Sequence, residues 1–178
     1  MDIKITTRDA WLSTAICAAL DVILLIPLFF LMRKIGFQTA YKQIGIASAL
    51  FWGILAVVVM SKFWELYYQY FYPTWMRWLA PLDVILYGAM GLGIGWLAIH
   101  AGNLSVLMFA LLGGMEGAFE HLFGIYGLHI LDKVPFLQGL NPQSAIIFSF
   151  FEYILYWTIV VWLALGILKI GELFGSIF

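Results

Sequence analysis

The sequence predicts an all-α, polytopic membrane helix bundle of five transmembrane spans plus a short aromatic interfacial segment, in one domain over residues 1–178. Three observations predict it. Of the 178 residues, 64% are hydrophobic and only 11% are charged, with a mean hydropathy of +0.99. A soluble domain carries roughly 25% charged residues. The apolar residues gather in five runs, each long enough at 1.5 Å per residue to cross a hydrocarbon core about 30 Å thick. Finally, turn and cap residues part the runs, with no low-complexity linker and no repeat of fixed period.

In chain order, residues 1–9 form a polar tail, where Thr6 or Thr7 can cap the first helix and Asp9 sits in its first turn. Span 1 covers about 10–32 and ends at the basic pair Arg33-Lys34. The N-terminus does not read as a cleavable signal, because Asp2 and Asp9 stand where a basic region belongs and no small-residue cleavage site follows. Arg33, Lys34 and Lys42 make a basic loop before span 2, at about 43–62. Residues 63–80 read as the interfacial segment, rich in Trp and Tyr. Pro81 suits the first turn of span 3, at about 81–100. Gly102-Asn103 is a turn with Asn103 as a cap, and span 4 follows at about 104–126. After a loop, Asn141-Pro142 caps and opens span 5, at about 143–170.

Charge excludes some functions and leaves others open. A net charge of −1 points away from nucleic acid, and the lone Cys17 cannot form an internal disulfide. No Gly-rich phosphate loop, nucleophile elbow or Cys–His pair is present. Alternating the spans puts Lys4, Arg8, Lys62, Arg77 and Lys133 on one side and Arg33, Lys34, Lys42 and Lys169 on the other. That distribution leaves the membrane orientation undetermined.

The informative residues are acids at membrane depth, where ionisable groups are costly and mark function. Asp21 lies near the middle of span 1, and Glu152 about nine residues into span 5. Glu116 and Glu120 are four residues apart on one face of span 4, with His121 beside them. Glu65 and Asp83 reach the same side from spans 2 and 3. Each span thus offers a carboxyl group to the half of the bundle nearer the N-terminus, and the expectation is a shared polar pocket there. Gly91 and Gly95, then Gly113 and Gly117, are spaced to let helices approach closely. Ser149, Glu152, Tyr153 and Tyr156 form a polar stripe on span 5.

Metal is not expected. Glu116, Glu120, His121, His129 and Glu152 are suitable ligand types, but the Glu-x-x-His spacing of di-iron bundles is missing. No cofactor is implied.

The stretch from Phe63 to Tyr72 is dense in aromatic rings around one carboxylate, and Pro73 ends it. Glu65, Tyr68 and Tyr72 share one helical face, and Trp64 lies on another. An aromatic belt at the membrane interface accounts for such a stretch. So does a proton donor set among rings that shelter a cation. Trp64-Glu65, Tyr68 and Tyr72-Pro73 resemble the motif that closes the second span of the integral-membrane terpene cyclases of meroterpenoid pathways. Trp78, Asp83 and the glycine-containing run to Trp96 are similar to that family's next segment. Phe151-Glu152-Tyr153 resembles its late acidic position, with Glu for the usual Asp. The family has seven spans against the five expected here, and Ser61, Lys62 and Phe63 stand where it usually has an Asn.

The resemblance implies acid-initiated, metal-independent cyclisation of a lipophilic prenyl substrate. Glu65 would be the general acid and Glu152 its partner. Trp64, Tyr68, Tyr72, Asp83, Glu116, Glu120, Asp21, Tyr153 and Tyr156 would line the pocket. Two other readings stay open. One is a proton- or cation-coupled carrier using the buried carboxylates. The other is a non-catalytic subunit of a larger membrane complex. The partners expected are the membrane itself, a prenyl or other lipid substrate, and either a second copy of the chain or a larger membrane complex.

Overall fold

The computed structural model describes residues 7–59, 61, 74–129, 131, 137 and 140–175. Those residues fold into five long helices, with no strand among them. The helices are α1 (Thr7–Ile35), α2 (Phe37–Val59), α3 (Thr74–Ile99), α4 (Ser105–Leu122) and α5 (Pro142–Gly175). A 3₁₀ turn at Gly102–Leu104 precedes α4, and a π turn at Phe123–Gly127 prolongs it. Each of the five carries a stretch long and apolar enough to cross a membrane, as a multi-pass membrane protein requires. The expected fold class is therefore the observed one.

Helix ends differ from the expectation in four places, each with a local cause. The basic loop before span 2 collapses to a single residue, and α2 begins at Phe37 instead of near residue 43. Gly36 adopts φ +83°, a left-handed conformation that costs glycine little. Its N–H bonds the Met32 carbonyl at 2.8 Å, which closes α1, and its carbonyl accepts from the Thr39 N–H at 3.1 Å, which opens α2. Arg33 and Lys34 accordingly lie in the last turn of α1, and Lys42 in the second turn of α2. Next, α3 starts at Thr74, ahead of Pro81, so residues 74–80 of the expected interfacial segment are helical and continuous with the span. The apolar part of α3 nevertheless begins at Pro81. Third, Asn103 is not a side-chain cap. It sits in the 3₁₀ turn, where the Ser105 hydroxyl donates to the Gly102 carbonyl at 2.6 Å. Fourth, α5 runs past residue 170 to Gly175. Its start is as expected, with the Asn141 side chain accepting from the Ser144 N–H at 2.8 Å. The capping expectation for Thr6 and Thr7, and residues 62–73 of the aromatic stretch, lie outside the described side chains.

Helix α5 is the centre of the bundle, packed against α1, α2 and α4, while α3 covers α2 and the edge of α4. Its Trp157, Val160 and Val161 are fully buried with Phe109 of α4, Ile44 of α2 and Leu28 of α1. Helix α4 runs antiparallel to α5, since Gly113 meets Trp157 and Gly117 meets Tyr153. Helix α1 runs parallel to α5, since Cys17 faces Glu152 and Tyr156 while Leu24 meets Trp162 further along both helices.

Candidate functional site: an acid–tyrosine network

The site begins with two glycines. A Cβ on Gly113 would fall inside the contact radius of the Trp157 indole, and one on Gly117 would overlap Tyr153. With hydrogen in those places, the two rings of α5 sink against the α4 backbone. Glu116 and Glu120 stand one turn beyond these glycines and meet the polar tips of the same rings. Trp157 Nε1 donates to Glu116 Oε2 at 3.2 Å. The Tyr153 hydroxyl donates to Glu120 Oε2 at 3.0 Å, and the Tyr87 hydroxyl of α3 donates to that same oxygen at 2.5 Å. Glu116 and Glu120 are four residues apart on one face of α4, so their carboxyl groups are neighbours.

A second acid centre lies one turn along α5. Glu152 accepts from the Tyr156 hydroxyl at 2.6 Å through Oε1, and its Oε2 faces His121 Nε2 at 3.6 Å. His121 Nδ1 lies 3.1 Å from the Gly117 carbonyl, which can only accept, so Nδ1 carries a hydrogen. The nitrogen facing Glu152 is Nε2. His121 and Glu152 are only 12% and 20% exposed, so this pairing is made largely out of water.

Aromatic rings join the two centres. Trp52 of α2 stacks on Tyr87 with centroids 4.1 Å apart and planes 16° from parallel. It also meets Tyr153 at 5.1 Å and the edge of Tyr156 at 5.5 Å. Its indole N–H is buried and has no hydrogen-bond partner among the described residues. The result is a set of electron-rich faces beside carboxyl groups, an environment suited to a cation.

The remaining expected residues fall around this core. Asp83 is half-buried one turn before Tyr87, in the electrostatic field of Glu120. Cys17 of α1 lies in the field of both Glu152 and Asp21. Asp21 is 5% exposed, and neither of its carboxyl oxygens has a partner among the described residues. The structure thus brings together Asp83, Glu116, Glu120, Glu152, Tyr153 and Tyr156 from three helices, while Asp21 stands near Cys17 on α1. Glu65, Trp64, Tyr68 and Tyr72 lie outside the described residues. Sequence reasoning did not single out Trp52, Tyr87 or Trp157. Tyr87 had a signal, standing four residues after Asp83 on one face of α3, but Trp52 sits in an apolar run without any pattern to mark it.

Among the described residues, no three His, Cys, Asp or Glu side chains are grouped to hold a metal ion. Two apolar furrows flank α2. One of about 650 Å³ follows Gly45, Ala49, Gly53 and Val84, and one of about 310 Å³ lies between Phe51, Leu55, Leu163 and Ile167. Neither is lined by an acid, but Phe51 joins the second furrow to the site, its ring 5.5 Å from that of Tyr156.

These features define a class: a five-helix, multi-pass membrane bundle with a buried acid–tyrosine–tryptophan network. Comparisons with family models, with curated proteins and with solved structures found no match for the chain.

Proposed function

We propose that the protein is an intramembrane enzyme that starts the cyclisation of a lipophilic prenyl substrate by protonation. One observation carries the reading. Glu120 is held by two tyrosine hydroxyls, one helical turn from Glu116 and beside the stacked rings of Trp52 and Tyr87. In this reading the half-buried Glu116–Glu120 pair supplies the proton, and the rings beside it favour positive charge. In the proposed step, an alkene or epoxide of the substrate takes that proton and leaves the pair as carboxylates. The carbocation, or the opening epoxide, is attacked by a neighbouring double bond to close a ring. The final cation then loses a proton to Glu152, whose contacts with His121 and Tyr156 suit it to receive one. The substrate gains one proton and loses one, return of the proton from Glu152 to the Glu116–Glu120 pair resets the site, and the step calls on no metal or redox cofactor.

The furrow beside Phe51 supports an apolar substrate, since its walls are Leu, Ile, Val and Phe. The resemblance around Trp64-Glu65 implies Glu65 as the general acid with Glu152 as its partner, an alternative source of the same proton. Turnover of prenylated alkenes and epoxides by purified protein tests the reading. Glu120→Gln keeps shape and removes the proton, so folding should survive while turnover falls about a hundredfold or more. Undiminished turnover in both Glu120→Gln and Glu152→Gln would overturn the assignment.

A carrier is the second reading, favoured by one specific observation: Asp21 is buried in α1 and neither of its oxygens has a hydrogen-bond partner among the described residues. A carboxyl group so placed suits ion passage better than it suits the ring-closing step.

A further inference from the structure

A second polar site lies in the seam between α1 and α5, on the far side of α5 from the furrow. Trp162 Nε1 donates to the Leu24 carbonyl at 3.2 Å and fixes the register of the two parallel helices. Thr158 precedes Trp162 by one turn and so shares its face toward α1. Asp21 precedes Leu24 by three residues, on the buried face of α1 that also holds Thr14, Leu28 and Met32. Both side chains therefore lie within about 6 Å, along the bundle axis, of the Trp162–Leu24 bond. Asp21 is 5% exposed and Thr158 1%. Asp21 Oδ1, Asp21 Oδ2 and Thr158 Oγ1 have no hydrogen-bond partner among the described residues.

Thr158 has an easy local partner that it does not use. Ser13, Thr14, Thr39 and Ser149 each donate to the carbonyl four residues earlier, the usual resting place of a helical hydroxyl. Thr158 leaves that bond unmade although it is almost fully buried. Three orphaned oxygens at one level of the bundle call for partners, because buried polar groups are otherwise paired. No cation among the described residues acts on Asp21, and the neighbouring Cys17 sits in the field of a second acid, Glu152. An isolated buried carboxylate is costly, and a positive guest relieves that cost where a water relieves only the hydrogen bonds.

We propose that the α1–α5 seam binds a small alkali cation, held by the Asp21 carboxylate and the Thr158 hydroxyl and finished by helix carbonyls or water. Oxygen donors of this kind suit a hard monovalent ion, and three His, Cys, Asp or Glu ligands are not required. The site does not depend on the prenyl-cyclase reading, since it touches neither the Glu116–Glu120 pair nor Tyr87.

Thermal unfolding of the full-length protein in detergent tests it, with sodium, lithium or potassium chloride replacing N-methylglucamine chloride at constant ionic strength. The proposal expects a saturable rise in Tm of about 2–4 °C or more with at least one alkali ion. The rise should vanish in Asp21→Asn and in Thr158→Val. Thr158→Val keeps the shape of the side chain and removes no charge, so it serves even if Asp21→Asn fails to fold. Equal Tm in all salts for the wild type would overturn the proposal. So would a rise that survives Thr158→Val. A Tm that follows pH identically in every salt would assign the seam to a proton and overturn it too.

Discussion

Replacing Gly117 by alanine gives the sharpest test of how the network is built. The added Cβ would overlap the ring and Cβ of Tyr153, which is only 4% exposed and has no free space to retreat into. Either α4 and α5 move apart or the tyrosine leaves its rotamer, an overpacking cost of about 1–3 kcal/mol. Both routes pull the Tyr153 hydroxyl from Glu120, and a hydrogen bond to a charged group contributes about 1.5–3 kcal/mol. The joint cost is about 2.5–6 kcal/mol, less up to about 1 kcal/mol regained because alanine is the better helix former. For a chain of this size each kcal/mol moves Tm by about 2–4 °C, so a fall of roughly 3–24 °C is expected in a thermal-unfolding assay. Gly93→Ala is the matched control, because a Cβ there meets nothing within 4 Å. It should leave Tm unchanged or raise it by a few degrees. If Gly117→Ala and Gly93→Ala unfold at the same temperature, the close seating of Tyr153 on α4 is wrong, and with it the geometry at Glu120.

Tyr87→Phe and Tyr153→Phe each remove one donor from the same Glu120 oxygen. In a double-mutant cycle their effects on Tm should be non-additive, with a coupling of about 0.5–3 kcal/mol, and strict additivity would mean that the two do not share an acceptor. Trp52→Leu should weaken binding of a lipophilic tertiary ammonium inhibitor about five- to thirtyfold by removing the stacked face, while unchanged inhibition would place the cation elsewhere. Glu65→Gln separates the two accounts of the aromatic stretch. A belt residue leaves turnover intact, whereas a proton donor loses about a hundredfold. Reporter fusions after Gln38, Gly102 and Phe178 should alternate in side with fusions after Trp75 and Leu137, and two successive fusions on one side would break the five-span count.

The fold was legible because each span is an apolar run of the required length, a signal that survives without knowledge of packing. Helix ends were less legible. A turn of one residue at Gly36 leaves no polar stretch to announce it, and Arg33, Lys34 and Lys42 imitated a loop although helices carry them. The acids of the site were legible because charge at membrane depth is rare, and the shared face of Glu116 and Glu120 followed from their spacing alone. Their partners were not. Trp157 and Trp52 look like ordinary apolar-run aromatics until the glycines of α4 place one of them against a carboxyl group. The part of His121 was also hidden, since its ring turns toward Glu152 only because Nδ1 is tied to the Gly117 carbonyl.

The shared acceptor at Glu120 also bears on how the chain is made. Its two tyrosine donors come from α3 and α5, so the tie closes only when spans 3, 4 and 5 are side by side. Helix α4 carries two glutamates within five residues and is the least apolar of the five spans. Released alone into lipid, it would face a penalty of several kcal/mol for those side chains. The ribosome has then to deliver α5 before α4 is let go, and the two should leave the translocon as a hairpin. Stalling synthesis between Leu122 and Pro142 would be expected to strand α4 at the membrane surface, where quality-control proteases recognise it.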